Sequence, residues 1–136
     1  MSEEHPAAPD ADVQELAGRV FDMARAGDSV TLAKYVDAGV PVNLTNSSGD
    51  TLVMLAAYHG HADAVRALVD RGADVNRPND RGQTPLAGAV FKGEDAVVAA
   101  LVDAGADPSA GQPSAIDAAR MFGRDDYLGI LDPGAH

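Results

Sequence analysis

The sequence predicts an all-α solenoid built from stacked helix–turn–helix units. Glycines recur every 33 residues, at Gly27, Gly60 and Gly93 and again at Gly39, Gly72 and Gly105. Apolar residues keep the same phase: Leu32, Val65 and Val98; Tyr35, Leu68 and Leu101; Val36, Val69 and Val102. Between the glycines the apolar positions fall at helical spacing, with one buried face per helix. A period of this length marks an array in which each unit buries its apolar side against the next.

The elements follow in order along the chain. Residues 1–12 are acidic and Pro-rich and are expected to form a disordered tail. The first unit, about 13–45, keeps two helices and both glycines in Phe21–Asn43, with its first helix extending back toward Val13. The second unit, about 46–78, places helices within Thr51–His59 and Ala62–Asp70. In the third, about 79–111, Thr84 reads as an N-cap and Pro85 as the first helical residue. An inner helix is expected over roughly Leu86–Lys92, closed by Gly93, which tolerates the left-handed conformation beyond a C-cap. An outer helix is expected over roughly Ala96–Asp103, closed by Gly105. The fourth unit, about 112–131, aligns Ser114–Gly123 with Thr84–Gly93 at a spacing of 30, so the preceding loop is three residues short. A last helix over roughly Asp125–Leu131 precedes a short tail, 132–136. Helices of this length are marginal alone in water, so stacking must supply the stability.

Composition narrows the function. The 136 residues carry 10 Lys plus Arg against 21 Asp plus Glu, a formal net charge of -11, which disfavours nucleic acid and anionic membranes. The absence of Cys removes disulfides, thiolate metal sites and thiol nucleophiles. No apolar run resembles a secretory signal or approaches the roughly 20 residues of a membrane span, so a cytoplasmic protein is expected. No serine sits in a nucleophile elbow and no phosphate-cradling glycine motif occurs, so the chain is not expected to be an enzyme. Abundant Gly, Ala, Asp, Arg and Val with only two lysines, Lys34 and Lys92, point to a bacterial source.

The units resemble ankyrin repeats. The signature reads Gly49-Asp-Thr-Leu-Val-Met54, Gly60-His61 and Gly72-Ala-Asp-Val-Asn76, and recurs as Gly82-Gln-Thr-Pro-Leu-Ala87, Gly93-Glu94 and Gly105-Ala-Asp-Pro-Ser109. The resemblance covers about residues 13–131. It implies an L-shaped stack of helix pairs with short β-hairpin-like fingers projecting from it. It also implies protein binding through the finger tips and the concave face of the inner helices. Leu52 replaces the usual Pro, while Met54 and Ala87 replace a His that normally ties neighbouring units, which implies a less rigid stack. Pro108 and the shortened loop imply an irregular finger before the fourth unit.

The positions left free by the repeat are the candidate contacts. Two residues at the end of each inner helix face the concave side: Arg25 and Ala26, Tyr58 and His59, Phe91 and Lys92, Met121 and Phe122. Large apolar residues and Arg are the types enriched at interface cores. The alternative is that Tyr58, Phe91 and Phe122 fold down as core, Phe122 above all. Finger residues Ser47, Ser48, Asp50, Asp80, Arg81 and Gln83 are polar candidates, although turn chemistry also explains such residues. The expected function is an adaptor or regulator, monomeric when free, bound to another protein through Tyr58, His59, Phe91, Lys92, Arg25 and Met121, with Asp50, Asp80, Arg81 and Gln83 setting selectivity.

Two alternatives stand beside it. Some small bacterial ankyrin proteins assist a neighbouring enzyme such as a catalase, which would give His59 a role with haem or a metal. The other is a self-associating scaffold. A zinc site needs three or four convergent ligands, and His59 and His61 flank a turn, so no metal or cofactor is expected. Asp37, Asp70 and Asp103 repeat every 33 residues near outer-helix ends and read as a solvated face or, alternatively, as a stripe for a basic partner.

Overall fold

A computed structural model describes residues 7–132, with side chains described from Val13 onward. Of the tails expected at 1–12 and 132–136, residues 1–6 and 133–136 lie outside the described residues. Among the described residues there are eight helices in order: α1 (Ala7–Ala26), α2 (Ser29–Asp37), α3 (Leu52–Tyr58), α4 (Ala62–Asp70), α5 (Pro85–Lys92), α6 (Asp95–Asp103), α7 (Ala115–Met121) and α8 (Asp125–Leu131). α1 reaches back past Val13 to Ala7, across a stretch expected to be tail. Pro9 falls in its first turn, where the missing N–H has no intrahelical partner to lose.

The helices form two rows. α1, α3, α5 and α7 pack in sequence as the inner row, and α2, α4 and α6 pack in sequence as the outer row. α3, α5 and α7 start on the same device. The hydroxyls of Thr51, Thr84 and Ser114 accept from the backbone N–H of Met54, Ala87 and Asp117 at 3.1, 3.2 and 3.1 Å. The cap therefore survives without Pro at position 52, because the hydroxyl alone satisfies an orphan donor. Leu52, Leu86, Leu32, Leu68 and Leu101 are fully buried between the rows, with Val20, Val65, Val97 and Val98.

Further ties cross from unit to unit. The side-chain oxygens of Asn43 and Asn76 accept from the backbone N–H of Asp74 and Asp107, one unit later, at 2.8 and 2.7 Å. Residues that follow the mid-unit glycines lean back on the preceding unit. His61 lies against Gly27 and Glu94 against Gly60, where a Cβ would collide with the imidazole and the carboxylate. The His61 Nε2 also pairs with the Arg25 carbonyl at 2.8 Å. The fingers carry only isolated bridges, Thr45 with Thr51 and Gly111 with Ser114, and no strand occurs among the described residues.

Candidate functional site

The inner row leaves a groove where it meets the fingers. The groove has a volume of about 250 Å³ and is lined by Tyr58 of α3, Ala87, Gly88 and Phe91 of α5, Ala118 and Met121 of α7, and Gln83 and Pro113 of the fingers. Small side chains make its floor. Met54 and Leu55 of α3 correspond to Ala87 and Gly88 of α5 at the 33-residue spacing, and Leu55 corresponds again to Ala118. Tyr58 and Met54 take up part of the freed space, since a Cβ at Gly88 would stand 3.4 Å from the Met54 Cε and 3.5 Å from the Tyr58 Cδ1.

Large apolar side chains stand around this floor in contact with solvent. Phe91 is 57% exposed, Met121 64% and Phe122 50%. Phe91 and Phe122 meet edge to face with centroids 5.2 Å apart. The alternative that Phe91 and Phe122 fold down as core does not hold. Phe122 follows α7 at the register of Ala26, His59 and Lys92, a position exposed in the preceding units as well. Tyr58 is half-buried.

Basic side chains gather on the same face. The Lys92 ammonium lies 4.4 Å above the centre of the Tyr58 ring, a cation–π contact. His59 is exposed beside it, its ring edge-on to Tyr58 at 5.7 Å. Desolvation, followed by the nearby charges of Lys92, His61 and Arg25, holds the His59 imidazole below its usual pKa. Arg25 is exposed and pairs with Asp22 at 2.9 Å.

The fingers divide the polar candidates into two kinds. Asn79 is buried, and its Nδ2 donates to Asp50 Oδ1 at 2.8 Å and to Gln83 Oε1 at 3.0 Å. Its own oxygen accepts from the backbone N–H of Arg81 and Gln83. Asp50 and Gln83 thus hold two fingers together, while Asp80 and Arg81 remain exposed. The backbone joins the tips as well, from Asp80 N–H to the Ser48 carbonyl and from Gln112 N–H to the Gly82 carbonyl.

Residues 20–112 match the ankyrin repeats, in three copies. The chain belongs to the ankyrin repeat family. An ankyrin repeat protein of Pseudomonas aeruginosa is 51% identical over 57 residues, which is 42% of this chain and 33% of that protein. The chain thus matches about a third of the length of this curated relative. The crystal structure of the human ASB11 ankyrin repeat domain superposes with a TM-score of 0.74 at 28% identity, covering 86% of this chain and 54% of that one. Ankyrin repeats are in general non-enzymatic scaffolds that bind other proteins.

The outer row of this ankyrin stack carries charge pairs that sequence reasoning did not find. Arg71 makes a two-point contact with Asp37 of the preceding unit, Nε to Oδ1 at 2.8 Å and Nη2 to Oδ2 at 3.2 Å. Arg66 reaches Asp103 of the following unit at 3.7 Å. The expected acidic ladder is therefore partly neutralised by arginines that break the repeat pattern. At the C-terminal end Tyr127 donates to Asp95, and the Arg124 guanidinium covers its ring at 4.0 Å. Burial and the Asp95 carboxylate push the Tyr127 hydroxyl up to about 12. Among the described residues no group of three or more His, Cys, Asp or Glu is placed to hold a metal ion, and no helix is long and apolar enough to cross a membrane.

Proposed function

We propose that this chain is an adaptor or regulator that binds a partner protein on the concave face of its inner helices. The groove walled by Tyr58, Phe91 and Met121 carries this reading. Exposed Phe and Met next to half-buried Tyr form a continuous apolar patch on the helical frame, and such clusters supply most of the energy of protein interfaces. Phe91, Met121, His59, Lys92 and Arg25 are all accessible on this face. Of the finger residues, Asp80 and Arg81 are free to contribute contacts, whereas Asp50 and Gln83 act through the geometry that Asn79 fixes.

Affinity capture from the native host with the full chain tests this reading. The Tyr58→Ala and Phe91→Ala variants should each weaken the captured complex on the order of 10-fold or more, as truncated hot spots do. Circular dichroism should show helicity unchanged. Undiminished affinity in both variants would place the binding surface elsewhere.

A further inference from the structure

We propose that the groove between α3, α5 and α7 takes an acidic protein segment carrying one large apolar side chain, with Lys92, His59 and Arg25 receiving the carboxylates. This rests on the concave-face reading above and specifies the chemistry of the partner. The groove volume of about 250 Å³ lies below the roughly 300–1,000 Å³ of pockets built for drug-sized ligands, and suits a single side chain. Its walls are Tyr58, Phe91 and Met121, and its floor is Ala87, Gly88 and Ala118, so the anchor it accepts is aromatic or long and aliphatic.

The charge around the groove runs against that of the whole chain. Net charge is -11, yet the inner-helix ends beside the groove present Arg25, His59 and Lys92, with the Glu94 carboxylate against Gly60 as an opposing charge. Among the described residues Lys92 has no carboxylate within 4.0 Å, and its ammonium rests on the Tyr58 ring at the groove wall. Asp22 is the partner of Arg25 on α1, and it is exposed and exchangeable. Desolvation first, and then the charges of Lys92, His61 and Arg25, hold the His59 imidazole below its usual pKa, so it meets a carboxylate as a neutral N–H donor beside the two cations. Asp37, Asp70 and Asp103 sit on the outer row. Exposed charges more than about 8 Å apart are largely screened at physiological salt, so the local cations govern what docks here.

Selection of a displayed random-peptide library on the full chain tests the proposal. Enriched peptides should carry one Phe, Tyr, Trp, Leu or Met with Asp or Glu within four residues. Synthetic copies should lose about tenfold or more in affinity against Ala87→Met, which restores the side chain that α3 has at that position, and against Lys92→Glu. Phe91→Ala, at an exposed site, repeats the groove test without filling buried space. Peptides enriched in Lys or Arg, no enrichment, or indifference to Lys92→Glu would overturn the acidic occupant. Loss of such basic peptides on Ala87→Met and Phe91→Ala would still leave the concave face as the binding surface. Indifference to both groove variants would remove the two readings together.

Discussion

α3 and α7 hold the same place in their units, begin on the same hydroxyl cap, and end in different surroundings. α3 lies between α1 and α5 and buries every residue from Leu52 to Ala57. Among the described residues α7 packs in the inner row on α5 alone, and it buries Ala115, Ala118 and Ala119 while Ile116, Asp117 and Arg120, at positions buried in α3 and α5, stay partly or fully open. The repeat thus fixes which positions make the frame, and the number of neighbours decides how much of that frame is covered, whereas the helix ends stay open either way, Phe91 between α3 and α7 as well as Met121. Where small residues replace Met54 and Leu55, the leftover surface becomes a groove.

Truncation separates frame from free surface most strongly. Leu68→Ala, fully buried in α4, should cost about 2–5 kcal/mol in urea unfolding. Met121→Ala, at a solvent-facing site, should fall within about 0.5 kcal/mol of the parent. Equal losses would mean that the end of α7 belongs to the core after all. One level down, Thr84→Ala should cost about 1 kcal/mol by leaving the Ala87 N–H unpaired. Gly88→Ala should act in the opposite direction. Its new methyl meets only ordinary contacts at Met54 and Tyr58, so α5 should gain roughly 0.5–1 kcal/mol from helix propensity, read as a higher Tm. A lower Tm would show that Met54 and Tyr58 cannot give way.

The ends of the stack differ in how charge and hydroxyl groups are held. Tyr127 is raised in the fold from 10.0 to about 12, so the neutral hydroxyl stabilises fully below pH 10. That contribution is lost as pH rises toward 12. Ultraviolet titration should therefore show one of the three tyrosines ionising late, and Tyr127→Phe should remove that late step. The smallest effect belongs to Asp37, whose carboxyl is lowered by its hydrogen bond to Arg71. Its contribution is present above its ordinary value of 3.8 and is lost as pH falls through the lowered one. Denaturation midpoints of Asp37→Asn and the parent should differ slightly at neutral pH and converge as pH falls from 3.8 through the lowered value. A constant offset would assign the contact to packing.

The frame was legible because each repeated residue performs one local task in every copy. Thr51 and Thr84 cap, and Asn43 and Asn76 bond to the next unit. Departures from the pattern were harder to read. Arg66 and Arg71 recur nowhere at the repeat spacing, so their pairing with Asp103 and Asp37 needed coordinates. Asp50 and Gln83 looked like free contacts because turns favour polar residues, yet both are held by Asn79. The spacing of Asn46 and Asn79 did hold that signal, since each opens its unit and accepts from the backbone two and four residues on. Residue size at the Leu55, Gly88 and Ala118 positions also marked the groove, once their shared register was drawn.

Amide hydrogen exchange of the full chain, alone and saturated with a captured partner or a selected peptide, tests most directly whether binding occupies the concave face. Protection should rise along Tyr58–His59, Gly88–Lys92 and Ala118–Phe122. The outer helices α4 and α6 should be unchanged. Protection confined to α4 and α6, with the inner-helix ends exchanging as in the free chain, would contradict the concave-face assignment.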